Sequence, residues 1–256
     1  MTPDVPIKTA RTTLEVVETL LELDGATFSE IADEMEMPKS TLHDHLRTLE
    51  LIGVLVHSEN EYRVGTWFLN VGHQVRHQRS VYEYSQQEVD NLAEKTGEHA
   101  SLMIEENGEG VLLYIAKGED AVDLNAWAGR RIPLSAQAPG KAILAHSPEE
   151  RVDAIIDEHG LPQFTDKTIT NREALDAELE RIRERGYATD NEELIEGVKA
   201  ISAPIFDRGT IAGAVTVGGP ANRMAGEWFD EELPDLLLQS SNVIELNLST
   251  AQAQLK

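Results

Sequence analysis

Cysteine is absent from this 256-residue chain. Its absence excludes disulfides, thiol nucleophiles and cysteine-based zinc sites, and leaves only metal options built from histidine and carboxylates. Among the eight histidines, His73 and His77 stand one helical turn apart and could bracket a metal, but no third ligand accompanies them, so no metal site is expected. Lysine is scarce, with 8 residues beside 14 arginines, and these cations face 46 aspartates and glutamates, a formal net charge of −24. Long apolar runs are lacking as well. None reaches the about 18 uncharged residues of a membrane span, and the opening MTPDVPIKTA has no apolar signal core, so a cytoplasmic protein with no membrane partner is expected.

What is present suffices for folding. A hydrophobic content of 41% can supply cores for one large or two smaller domains. The acidic charge is spread along the chain and not gathered in a tail, which suggests a surface suited to concentrated salt, as in halophiles; an ordinary acidic cytosolic protein is the alternative. Residues 1–80 carry seven Lys plus Arg against thirteen Asp plus Glu, net −6, and the remainder fifteen against thirty-three, net −18. No basic patch therefore announces nucleic acid.

The pattern of elements does. TTLEVVETLLEL (12–23) places Leu14, Val17, Leu20 and Leu21 on one helical stripe, and Gly25 ends it. Thr27 with Glu30 three residues on forms a capping box ahead of Ile31, Ala32 and Met35. PKSTLHDHLRTLELIG (38–53) repeats Leu42, Leu46 and Leu49 at helical spacing, with Pro38 suited to its start and Gly53 to its stop. VLVH (54–57) and EYRV (61–64) flank a polar turn as a hairpin. Helix, helix, turn, helix and hairpin spell a winged helix-turn-helix over residues 1–65. Residues from Thr66 read as one or two helices, with a linker over 66–84. Beyond them, ASLMIE (100–105), VLLYIA (111–116), AVDLNAWA (121–128), VKAISAPIF (198–206) and IAGAVTVGG (211–219) read as strands. Helices are expected at 140–146, 148–159, 171–185 and about 230–248, which makes 85–256 an α+β domain with a mainly antiparallel sheet flanked by helices.

Nearly the whole chain resembles the IclR family of transcriptional regulators. GYATDNEELIEGVKAISAPIFD matches the family signature through Gly186, Asp190, Glu193, Ala200, Ile201, Ser202, Ile205, Phe206 and Asp207. PLSAQAPGKAILA (133–145) resembles its Gly-Lys helix entry, AVTVGGPANRM (214–224) its last strand, and PKSTLHDHLRTLE with YRVG its recognition helix and wing. The resemblance implies a GAF-like effector-binding domain behind the winged helix, no cofactor, and a homodimer or homotetramer on double-stranded DNA operators.

On that reading Ser40, Thr41, His43, Asp44 and Arg47 would face base edges, while Lys39, Arg11 and Arg63 would hold phosphates. Asp44 stands where many family members carry arginine, so it either tunes operator choice or pairs with Lys39, Arg47 or a histidine. The resemblance carries the effector contacts onto Ala138, Pro139, Asp190, Ala200, Thr216 and Gly218, for a small organic acid or sugar derivative. Ala200 and Gly218 replace the Cys or Ser that family members place there, which implies a different or larger effector. The Gly140-Lys141 pair is not a P-loop, because Ser135 and Ala142 occupy its glycine and hydroxyl positions. Asp190, Glu192 and Glu193 cluster three carboxylates, but no nucleophile elbow or metal set accompanies them, so they read as surface acids and the chain as no enzyme. The rival to a DNA-binding regulator is a metabolite sensor working through protein partners.

Overall fold

The computed structural model describes residues 5–254. Two compact units divide after Val75. The first holds α1 (Lys8–Glu22), β1 (Ala26–Thr27), α2 (Phe28–Glu34), α3 (Lys39–Leu51), β2 (Leu55–Ser58) and β3 (Glu61–Val64). Its strands pair antiparallel in the order β1-β3-β2. The capping box is formed: Thr27 accepts from the Glu30 N–H at 3.4 Å, and the Glu30 carboxylate accepts from the Thr27 N–H at 2.8 Å. Pro38 stands just outside α3 as its N-cap, and Gly53 follows its C-cap with φ +78°.

The stripe expected on α1 needs correction. The helix begins at Lys8, and its buried residues are Val16, Val17 and Leu20, whereas Leu14 and Leu21 are 58% and 63% exposed. At about 100° per residue, Leu14 and Leu21 lie roughly a quarter-turn from the centre of the buried stripe. The position facing α3 is held instead by Thr13, whose hydroxyl meets the Nδ1 of buried His45 at 3.0 Å.

The expected linker is two helices. α4 (Trp67–His77) has no buried residue, and after Gln78 and Arg79 the chain restarts as α5 (Ser80–Thr96), which buries Val81, Tyr82, Val89, Leu92 and Ala93. In the second unit β4 (His99–Glu106), β5 (Glu109–Lys117), β6 (Arg131–Pro133), β7 (Ala188–Asn191), β8 (Val198–Asp207) and β9 (Thr210–Pro220) form one antiparallel sheet in the order β6-β5-β4-β9-β8-β7. Side chains alternate across it. Leu102, Ile201, Ala203, Val215 and Val217 join α5 and the closing helix α9 (Leu233–Gln254) in one core. Met103, Leu112, Ala188 and Ala214 join α6 (Ala138–Ala145), α7 (Glu149–His159) and α8 (Arg172–Arg185) in another.

No strand forms over 121–128. Asn125 takes φ +49°, Val122 and Trp127 are 39% and 54% exposed, and the segment runs as an irregular loop. Its alternation is nonetheless used, since Leu124 and Ala126 turn towards a cavity on the α6 side of the sheet. No helix of the described residues is long and apolar enough to cross a membrane.

Candidate functional site

α3 is sorted cleanly by burial. Leu42, Leu46 and Leu49 are buried, and Lys39, Ser40, Thr41, His43, Asp44 and Arg47 are all exposed on the opposite face. Asp44 lies 3.7 Å from the Nδ1 of His43, while Lys39 and Arg47 have no ion-pair partner among the described residues. The two other basic candidates are engaged. Arg11 pairs with Glu15 at 2.7 Å along α1. Arg63 donates to the Asp24 carbonyl at 2.7 Å and to Glu61 at 3.0 Å, tying the wing to the turn after α1, so a phosphate would compete with those ties.

In the second unit, register brings distant residues into rows. Asp190 lies beside Ala200, Ala200 beside Gly218, and Gly218 beside His99, across β7, β8, β9 and β4. Two residues along, Ser202, Thr216 and Ser101 form the next row on the same face. All of these except Ser202 line a cavity of about 110 Å³. Pro139, Asp190, Ala200, Thr216 and Gly218 all line it; Ala138 is buried beside it without lining it. His99, Ser101, Gln137 and Arg130 line it too and were not singled out from sequence. The signal for His99 and Ser101 was the period of two on β4, opposite Gly218 and Thr216. Arg130 carries none, because it lies outside the expected strand over 121–128 and its place at the cavity depends on the fold of that loop.

The polar groups are held by specific bonds. Arg130 donates to the Asn125 carbonyl at 2.7 Å and lies over the Trp127 ring at 5.2 Å. His99 donates through Nε2 to the Val122 carbonyl, fastening the loop to the sheet. Ser202 and Thr216 hydroxyls meet at 2.9 Å. α6 reaches this wall because Gly140 has no side chain: a Cβ there would lie 2.0 Å from the Leu134 carbonyl oxygen.

The carboxylates expected on the surface are not there as a set. Asp190 and Glu193 are buried, and Glu192 alone turns out to bind Lys167 at 2.5 Å. Lys141, fully buried, binds both Glu193 oxygens at 2.5 and 2.6 Å. Burial pushes the Asp190 carboxyl up to about 7; the Glu193 N–H bond and the Lys141 charge pull the other way, and the Glu193 charge adds to the rise. No group of three or more His, Asp or Glu able to hold a metal occurs among the described residues.

A winged helix-turn-helix followed by this helix-flanked sheet defines a transcriptional regulator with an effector-binding domain. Residues 9–58 match the model of a helix-turn-helix domain, and residues 73–245 match that of the bacterial transcriptional regulator IclR C-terminal domain. The chain belongs to the IclR family. Among its relatives, the probable HTH-type transcriptional regulator ArcR of Halobacterium salinarum is 33% identical over 243 residues, 93% of this chain and 92% of that one. The crystal structure of Thermotoga maritima IclR superimposes with a TM-score of 0.82 at 29% identity, covering 94% of this chain and 98% of that one. An IclR homolog from Microbacterium hydrocarbonoxydans, solved in complex with 4-hydroxybenzoate, shares the fold with a TM-score of 0.77 at 22% identity, covering 93% and 99%. These relatives are regulators and not enzymes, as expected from the residues.

Proposed function

We propose that the chain binds a specific operator through α3 and that a small organic acid in the cavity of the second unit changes this affinity. In this reading residues 1–65 bind DNA, 66–84 transmit and 85–256 sense, and a homodimer offers two α3 helices to successive major-groove segments. The observation that carries it is the cavity itself, which gathers Arg130, Ser101, Thr216 and the N-terminal end of α6 around one small volume. A guanidinium, two hydroxyls and a helix N-terminus suit a carboxylate. The homolog holding 4-hydroxybenzoate supports an acid. An apolar cavity of about 150 Å³ takes benzene, so about 110 Å³ favours a non-aromatic acid of a few carbons, smaller than the Ala200 and Gly218 replacements imply.

A thermal-shift screen of glycolate, lactate, malonate, gluconate and 4-hydroxybenzoate in about 2 M KCl tests the sensor, with Arg130→Ala as control. The expected result is a shift with a short acid that the control lacks. A panel that moves neither protein, or moves both alike, sinks the reading of the cavity. A gel shift on the DNA upstream of its own gene tests the operator; acid binding without any DNA shift would instead favour a sensor acting through protein partners, as the exposed Asp44 carboxylate on α3 would suit.

A further inference from the structure

Two walls of the cavity come from segments far apart in the chain. One is the start of α6 with its N-cap, which contributes Gln137 and Pro139; the other is the segment from Asp190 to Val198, which contributes Asp190, Leu194, Ile195 and Val198. Between the end of β7 at Asn191 and the start of β8 at Val198 this second wall is a loop, with φ +65° at Glu192 and +76° at Gly197. Its position depends on a few side-chain bonds, and most converge on Glu193. The Glu193 carboxylate takes Lys141 Nζ at both oxygens, its N–H donates to Asp190 Oδ1 at 2.7 Å, and its carbonyl accepts from Thr168 Oγ1 at 2.5 Å. Lys141 in turn is rooted on α6 two residues after Pro139, where Gly140 allows the helix to press against Leu134.

We infer that Lys141 and Glu193 are a positioning pair that sets the gap between the two cavity walls and aims Asp190 into it. The inference rests on the reading of the cavity as an effector site. Stability does not account for the pair. Taking two full charges out of water costs about what their attraction returns, and apolar groups of the same size often serve a fold as well or better. What a buried bidentate pair supplies and apolar packing does not is one length and one direction, because both oxygens and the ammonium must stay matched. Loosening that match by a fraction of an ångström would leave the fold and blur the site.

The test uses the full-length protein in high KCl and follows amide hydrogen exchange over 190–198 together with lactate affinity by calorimetry. For Lys141→Met/Glu193→Leu we expect a melting temperature equal to or above wild type, exchange in 190–198 faster by about tenfold, and lactate binding weaker by about tenfold or more. Glu193→Asp, which keeps the charge and shortens the reach, should restore part of both. Exchange and affinity at wild-type values in the folded double variant overturn the inference, and so does exchange raised evenly across the whole unit with a lower melting temperature, which marks a mere stabiliser. Should the double variant not fold, Lys141→Arg and Glu193→Asp decide in the same way through exchange confined to 190–198. Wild-type protein that binds no lactate counts against that acid as effector, while the exchange result still decides the role of the pair.

Discussion

Asp190 is a carboxyl in a small, mostly apolar cavity, and its ionisation is costly there. Its value of about 7 lies above the ordinary 3.8, so its contribution to stability is fully present below that ordinary value and is lost as pH rises through about 7. Asp190→Asn should therefore stabilise the second unit relative to wild type at pH 8, by on the order of a few kcal/mol since one pKa unit is about 1.4 kcal/mol, and show little of that gain at pH 4. Denaturant midpoints of both proteins at the two pH values, at fixed salt, check this. An anionic effector should likewise bind wild type more tightly at pH 6 than at pH 8 and bind the variant with a flat profile. Gly140 makes the complementary case for shape. With the Leu134 carbonyl 2.0 Å from where a Cβ would sit, Gly140→Ala must move α6, at the upper end of the about 1–3 kcal/mol typical of overpacking. Calorimetric melting of the variant reads it directly.

At the scale of elements, α3 buries one face in the core of the first unit and leaves exposed the face proposed to meet DNA. Leu46 is fully buried, and Leu46→Ala should cost about 2–5 kcal/mol in urea unfolding of the first unit. Arg47→Ala, on the exposed face, should change stability by less than about 0.5 kcal/mol while weakening operator binding by about 1–3 kcal/mol. A gel shift and a melting curve on each variant distinguish the two faces, and unchanged operator affinity in Arg47→Ala would sink the assignment of α3. The loop over 121–128 teaches the opposite lesson. Its alternation of Val122, Leu124 and Ala126 is the pattern of a half-buried strand, yet only Leu124 and Ala126 turn inward, onto a cavity rim, and the backbone pairs with no strand. Periodicity nominates side chains for an inward face; it does not report what receives them.

For the whole molecule, the charge of −24 sets the terms on which it meets DNA. Counterion release favours binding in proportion to the phosphates neutralised, with a slope of about −0.9 per contact. Among the proposed cationic contacts, only Lys39 and Arg47 stand without an ion pair among the described residues, so the chain has few phosphate contacts to contribute. Operator affinity should fall only shallowly, or even rise, from about 0.2 to 2 M KCl as screening relieves repulsion between the acidic protein and the phosphates. Titration of a labelled operator across that range would return a steep loss if a basic surface were carrying the binding. The melting temperature should rise over the same range, because screening also relieves the protein's own repulsion.

Much was determined by the residues alone. The winged helix, its capping box at Thr27 and Glu30, the positions of the long strands β4, β5, β8 and β9 and the family signature all depend on contacts or propensities within a few dozen residues, and these are written locally. The short strands β6 and β7, the exposed side of α1 and the position of the break between α4 and α5 were not legible, because each depends on what a distant segment leaves open. The cavity belongs to that second kind. Asp190, Thr216 and Gly218 could be nominated through resemblance, but that they share one small space with Arg130 and His99, and that Glu193 is buried against Lys141, follows from sheet register and the approach of α6. Burial, not spacing, decides whether a carboxylate is a solvated surface charge or a titrating, directed group, and burial is a property of the folded chain.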